Sequence, residues 1–249
     1  MKWRVIPRRI LRRFKRQKIQ GVRGLNAADI YVNAEKRFAW VSNPKVACTS
    51  IRHSLCSQES SLERDYRMEP VKNVLGKKVP MNEIVAELNQ FFTFAFVRHP
   101  EQRLISAYKN KIFRHMSPKQ TFRPKMQILA DLGLDPAEIN HEVTFDQFLS
   151  VIFDSDAEQL NRHWRPQTMV LDIDRIRYSH IGKLETFDSS WREICQVLEL
   201  DADVVINLLT QKGRKKQSNS SAQDPVISKQ QRAAIRAYYR EDYRRFKYS

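Results

Sequence analysis

Phe91-Phe-Thr-Phe-Ala-Phe-Val97, followed at once by Arg98-His-Pro100, decides how this chain folds. A run so dense in aromatic and β-branched side chains reads as a strand buried on both faces, as in the middle of a parallel sheet. Pro100 has the fixed φ that suits the first turn of a helix, and Leu104, Ala107, Tyr108 and Ile112 continue at helical spacing. A strand that stops at an arginine and passes directly into a helix is the turn at which open α/β sheets bind ligands.

The same pattern recurs upstream. Phe38-Ala-Trp-Val41 is a short apolar run ending at Ser42-Asn43-Pro44, and Ile51 to Ser57 can form the helix behind it. Downstream, Thr144 caps an amphipathic helix through Ile152, and Tyr178 to Leu184 resembles a further strand. Ser190-Trp-Arg-Glu193 reads as a capping box opening a helix that ends near Leu200. Between these units, residues 114 to 142 form an irregular insertion with a short helix around Met126 to Leu132, and residues 211 to 224 form a basic, polar loop. From Ser228 to the end, one basic helix places Ile235, Tyr238, Tyr239 and Phe246 on one face. Short apolar runs alternating with longer helical patterns predict an α/β fold with a central, mainly parallel sheet flanked by helices.

Composition agrees. With 249 residues, 41% apolar, 29% charged and only six glycines, the chain can bury one domain core, which excludes wholesale disorder and a collagen-like repeat. No stretch approaches the roughly 18 apolar residues of a membrane-spanning helix. The net charge of +16 is uneven: residues 1 to 25 hold ten basic residues and no acid, so the rest carries 34 bases against 28 acids, or +6. The expected organisation is a basic extension over residues 1–26 and one domain over 27–249. The extension interleaves Trp3, Ile6, Ile10, Leu11 and Phe14 with arginine, so it either lies on an anionic surface such as a membrane or is a solvated arm. It lacks the apolar run and cleavage site of a secretory signal, and a cytoplasmic protein, at most peripheral to a membrane, is expected. Cys48, Cys56 and Cys195 form no CxxC pair, so neither a metal site nor a disulfide framework is indicated.

The chemistry-bearing segments lie at the two strand-to-helix turns. In Asn43-Pro-Lys-Val-Ala-Cys-Thr-Ser50 a helix N-terminus offers unpaired N–H groups and the positive end of its dipole, Lys45 adds a point charge, and Thr49 and Ser50 add hydroxyls. This is an anion cradle without being a Walker A loop, since no glycine occurs from 25 to 75. Arg98 ends the central strand and Ser106 follows two helical turns later, so both can face the same sheet edge and hold a second phosphate. A ligand with phosphates at two ends fits this pair. ATP needs one cradle and a magnesium held by carboxylates.

NPKVACTSIRHSL and FVRHPEQRLISAYKNKI resemble the 5′-phosphosulfate loop and the 3′-phosphate motif of carbohydrate sulfotransferases that use 3′-phosphoadenosine 5′-phosphosulfate (PAPS). The likeness is to the family that includes chondroitin 4-O-sulfotransferases, and HWRPQ, YSHIGKLETF and the tyrosine-rich end YYREDYRRFKYS extend it. The resemblance implies a P-loop-NTPase-like three-layer fold, PAPS as donor, no metal, and a carbohydrate or related hydroxyl as acceptor. It implies that Lys45 stabilises charge on the leaving phosphate while Pro44, Val46, Ala47, Cys48, Thr49 and Ser50 hold the 5′-phosphate. Arg98 and Ser106 would bind the 3′-phosphate. His163 in HWRPQ is the candidate base, or else a structural histidine, and His53 is a weaker competitor. Trp164 could stack on a sugar and Arg165 pair with an acidic one, or Trp164 could belong to the core. Arg103 supports Arg98 or the cradle, or is a surface charge. Lys212, Arg214, Lys215 and Lys216 either cover the cofactor or form a solvated charge run. His99 stands where the family has aspartate, and Ser50-Ile51-Arg52 departs from its pattern, which leaves the acceptor open. The resemblance also implies Golgi membrane relatives with an amino-terminal anchor, for which this sequence offers no candidate. Two other readings compete: a nucleotide kinase, which lacks its Walker loop here, and a polyanion- or membrane-surface-binding protein driven by the tail, with no specific nucleic acid expected.

Overall fold

In the computed structural model the residues described are 29–33, 37–57, 78–79, 88, 90–113, 123–204, 206–207 and 224–249. The basic extension and most of the 211–224 loop, including Lys212, Arg214, Lys215 and Lys216, lie outside them, as do the side chains of His53 and Cys56.

The strand predicted over 91–97 is present as β4, Phe92–Val97, and is flanked by a parallel neighbour on each side. With β1 Asp29–Asn33, β2 Phe38–Ser42, β3 Lys78–Val79 and β5 His180–Lys183 it forms a five-stranded sheet of order β3-β1-β2-β4-β5. Parallel register runs from Phe38 opposite Phe92 to Val41 opposite Ala95, and from Phe94 opposite His180 to Val97 opposite Lys183. The remaining pairings are antiparallel: β1 with β2, and β1 with β3. Four of the five strands, β2, β3, β4 and β5, therefore run in one direction and the sheet is mainly parallel as expected, with β1 alone reversed. The reason is chain length: residues 34–37 are too few for the crossover of about a dozen residues that a parallel pair needs, so β1 and β2 close as a hairpin.

Alternation along the inner strands sorts the core into two faces. Ala39, Val41, Ala95 and Val97 turn small side chains toward Val170, Leu171, Ile176 and Phe246. Phe38, Trp40, Phe94 and Phe96 turn large ones toward Ile51, Leu55 and Trp191. Helices thus cover both faces, as an α/β sheet requires. Phe187 and Trp191 stack at 5.7 Å beside Phe96, and each such buried aromatic contributes about 1.5–3 kcal/mol. Gly182 of β5 lies against the Phe96 ring, where any Cβ would overlap it.

The helices are α1 Cys48–Ser57, α2 Pro100–Tyr108, α3 Arg123–Asp131, α4 Phe145–Asp154, α5 Gln167–Val170, α6 Phe187–Leu198, α7 Lys229–Tyr238 and α8 Arg240–Arg245. Thr144 caps α4 as expected, in a capping box with Gln147, and Ser228 does the same for α7 with Gln231. Two expectations are corrected. Ser190 is no cap: a 3-10 turn over Leu184–Thr186 has already set helical geometry, α6 begins at Phe187, and Trp191 is a fully buried anchor. The final helix is two, broken at Tyr239, whose ring is buried and whose hydroxyl donates to Trp164 O at 2.5 Å. The break lets Asp242 reach the N-terminus of α5. After α2 the chain widens into a π-helical turn, Lys109–Phe113. Among the described residues no helix is long and apolar enough to cross a membrane.

Candidate active site

β2 and β4 are adjacent and parallel, so the loops after them emerge at one sheet edge. The first loop, 43–47, has two non-glycine residues in the left-handed region, Lys45 at φ 70° and Ala47 at φ 52°. Such backbone costs about 1–3 kcal/mol per residue and persists only where surrounding structure enforces it. Ser50 and Ile51 turn their N–H groups back to Ala47 O at 2.9 and 3.1 Å, so the N–H groups of residues 46–49 precede the first helical hydrogen bonds of α1. Left-handed residues flank Val46 on both sides, a turn of the kind that can curl successive N–H groups into a concavity suited to an anion, here without glycine. Val46 anchors the loop in the core at 1% exposure, Ser50 is buried, and Thr49 is exposed at the mouth. The Cys48 thiol donates to Asn43 O at 2.6 Å, and burial pushes its pKa up, so it remains a thiol that ties the loop to itself.

Buried polar ties hold the two loops together. Asn43 Nδ2 donates to Phe96 O at 3.1 Å and to Gln167 Oε1 at 2.8 Å. Gln167, wholly buried, accepts from Arg98 N–H at 3.0 Å and donates from Nε2 to Arg98 O at 2.7 Å, clamping the backbone of Arg98 on both sides. Gln167 is held in turn by Asp242, which accepts from the backbone N–H groups of Gln167 (2.7 Å) and Thr168 (2.8 Å) and from the Thr168 hydroxyl (3.0 Å). Burial raises the Asp242 pKa and these donors pull it back.

Arg103 is the second tie. At 2% exposure on α2 it donates to three carbonyls: Pro44 O at 3.0 Å from Nε, Arg165 O at 2.8 Å from Nη1 and Arg162 O at 2.8 Å from Nη2. One planar guanidinium thereby joins the Lys45 loop to the 161–167 loop, and of the roles the sequence allowed it serves the cradle. Burial lowers its pKa, and the nearby Asp242 carboxylate opposes this.

In the 161–167 loop, Asn161 Oδ1 accepts the backbone N–H of His163 at 3.1 Å and lies 2.6 Å from His163 Nδ1. Because that oxygen accepts, Nδ1 carries the proton and Nε2 keeps its lone pair. The ring is half-buried, and its pKa is lowered to about 3 by burial first and then by the charges of Lys111, Arg162, Lys45 and Arg103. Its neutral form is therefore held across the physiological range. The two residues beside it do not face a ligand. Trp164 is 2% exposed and packs edge-on against Phe148 at 5.3 Å, so it is core and cannot stack on a sugar. Arg165 is 5% exposed and bonds Glu158 O, so it is turned inward and cannot pair with an acidic sugar.

Arg98 is partly buried, which pushes its pKa down, against the opposing charges of Glu185 and Asp224. Glu185 also accepts the backbone N–H of His99 at 2.7 Å and the Tyr248 hydroxyl at 2.9 Å, so the carboxyl-terminal segment folds over this corner. The His99 ring lies edge-on between Tyr243 and Tyr248, each at 5.3 Å. Ser106 is partly exposed two turns along α2. Among the described residues no cluster of histidine, cysteine and carboxylate side chains could hold a metal. The sequence reading overlooked Asn43, Gln167, Asp242, Asn161 and Glu185. Asn43 and Gln167 lay inside the quoted segments NPKVACTS and HWRPQ and Asn161 two residues before His163, whereas Glu185 and Asp242 fell only within the longer segments YSHIGKLETF and YYREDYRRFKYS.

A family model for the sulfotransferase family matches residues 28–249. Carbohydrate sulfotransferase 14 of Homo sapiens is 29% identical over 174 residues, covering 67% of this chain and 46% of the relative. The Danio rerio counterpart is 30% identical over 169 residues, covering 64% and 45%. Carbohydrate sulfotransferase 11 of Mus musculus is 22% identical over 235 residues, covering 88% and 67%. The chain spans about half the length of the type 14 relatives it matches. No solved structure matches it.

Proposed function

Because the chain belongs to the sulfotransferase family, we propose that it transfers the sulfuryl group of PAPS to a hydroxyl of a carbohydrate or related acceptor, on a sheet arranged like that of a P-loop NTPase. The observation that carries this reading is the joint anchoring of two anion-binding corners: Gln167 bonds both Asn43, before the Lys45 loop, and the backbone of Arg98. A ligand phosphorylated at two ends needs two such corners at constant separation, which a single cradle for ATP does not. The names of the relatives favour a carbohydrate acceptor.

The residues present fit the donor. The left-handed turns at Lys45 and Ala47 aim backbone N–H groups at one phosphate, with the hydroxyls of Thr49 and Ser50 beside them. Arg98 and Ser106 would take the 3′-phosphate. PAPS, when bound, supplies the sulfuryl group and a phosphate leaving group. The Lys45 ammonium would stabilise charge growing on the leaving oxygen, an effect worth about 2.7–4 kcal/mol for a well-placed donor. His163 Nε2 would take the proton that the acceptor hydroxyl gives up as its oxygen bonds to sulfur, while Asn161 holds the ring through Nδ1. A pKa of about 3 makes an isolated imidazole a weak base, but cations account for part of that depression. An anionic ligand among them would cancel part of their field and raise His163 toward the range of a working base. The basic extension would serve as an accessory that attaches the enzyme to anionic surfaces.

Calorimetric titration with adenosine 3′,5′-bisphosphate, beside AMP and magnesium-ATP, tests the reading. The bisphosphate should bind tightest, and Arg98→Ala should reduce its affinity to that of AMP. Equal affinity for AMP and bisphosphate in the native chain would overturn the two-phosphate site.

A further inference from the structure

Beyond the two anion corners, a cavity of about 290 Å³ lies at the far end of α2, near the lower limit of about 300 Å³ for small-molecule pockets. Its walls are apolar, from Tyr108, Ile112, Phe113, Val143 and Phe145. One wall is the π-helical turn 109–113, a distortion that recurs at functional sites because its extra residue redirects side chains. None of the cavity residues belongs to the cradle or to the 161–167 loop.

Lys125, on α3, lines this cavity at 4% exposure. Among the described residues its ammonium makes no hydrogen bond or ion pair, and Glu142 at the rim acts on it only through longer-range charge. Lys109, the other cation at the cavity, differs: its Nζ is already paired with Asp224 at 2.7 Å. A nearly buried ammonium without a partner costs free energy, since burial disfavours its charged form, and an anion placed against it reverses that cost. Ring edges and aliphatic carbons around a single available cation are complementary to a small molecule with one anionic group on a flat apolar body.

We propose that this cavity is a binding site, separate from the donor cradle, for a small aromatic or apolar monoanion whose charged group pairs with Lys125. Tyr108 and Phe145, with ring centroids 5.1 Å apart in edge-on contact, flank the body of the ligand, and Phe113, half-exposed, stands at the mouth. The Tyr108 hydroxyl is engaged by Val143 O at 2.8 Å, so recognition of the anion falls to the lysine. The same π-helical turn carries Lys111, whose charge acts on His163.

The test is calorimetric titration of the full chain with naphthoate, with naphthalenemethanol as the neutral counterpart. Naphthoate should bind saturably at one site and more tightly than the alcohol. Lys125→Met should weaken it about tenfold or more, the loss expected for a charge-assisted hydrogen bond, and Lys125→Arg should recover part of it. Phe113→Trp, a change at a half-exposed rim position that leaves the core untouched, should obstruct the mouth and weaken both compounds. Saturating adenosine 3′,5′-bisphosphate should leave naphthoate bound. Undiminished binding in Lys125→Met, absence of saturable binding, or displacement by the bisphosphate would each overturn the proposal. The first two are independent of whether the chain binds PAPS.

Discussion

Two loops meet at the carboxyl edge of this sheet, and they are held in different ways. The 43–50 loop combines short-range bonds, a thiol returned to Asn43 O and N–H groups of Ser50 and Ile51 returned to Ala47 O, with long-range ties at its first two residues, Asn43 and Pro44. The 161–167 loop is shaped from a distance. Arg103 reaches it from 59 and 62 residues away, and Tyr239 and Asp242 each from 75. The contrast separates binding from positioning. The half-exposed Lys45 and exposed Thr49 side chains of the first loop can be removed with little effect on the fold, whereas the ties of the second loop are themselves part of the core.

The largest effect should come from emptying the anion corners. Lys45→Ala and Arg98→Ala should each lower sulfuryl transfer about 10²-fold or more while the melting temperature stays near that of the native chain. Turnover close to normal in either variant would remove the role assigned to it. Arg103→Met should do the reverse: three carbonyls, of Pro44, Arg162 and Arg165, lose a charged donor, and thermal unfolding should show a loss of about 3 kcal/mol or more. Activity should fall with it through disorder of the 161–167 loop, so an Arg103→Met variant of unchanged stability would mean the ties are redundant.

A smaller effect, of defined sign, concerns His163. Its folded pKa lies below the ordinary value of 6.5, at about 3, so between these values the unfolded chain binds a proton that the folded chain refuses. Stability therefore rises with pH across that window and is lost as pH falls from about 6.5 toward 3. His163→Gln should flatten this acid limb in denaturant titrations at stepped pH, while an unchanged limb would show that the ring is not held neutral by its surroundings. The smallest effect should follow deletion of residues 1–26: transfer to a soluble acceptor should be unchanged, and retention on anionic vesicles at low salt should be lost. A drop in turnover on a soluble acceptor would bring the extension into the catalytic unit.

Much of the edge was legible. Phe92–Val97 and the Arg98-His99-Pro100 turn carry their signal locally, because a doubly buried strand needs an unbroken apolar run and a helix start tolerates proline. Lys45 and His163 stand out by residue type within short motifs. Trp164 was left open between sugar and core and Arg165 was read as facing a ligand, since a loop has no periodicity from which the inward side can be told, and here Phe148 and Glu158 O draw both residues inward. The β1–β2 hairpin escaped notice because Asp29–Asn33 mixes polar and apolar residues at the border of the basic extension.

The sequence by itself determined the class of the fold, the order of its two strand-to-helix turns and the residue types offered to an anion, since these depend on neighbours within about a turn or a strand. Only the tertiary structure decided that Asn43, Gln167 and Asp242 form one buried chain of hydrogen bonds, that Arg103 joins two loops, and that His163 is held neutral. Those outcomes depend on partners 69 to 124 residues apart for Gln167 alone, and on burial that makes every polar group find a partner. Neither quantity is a property of any local stretch of chain.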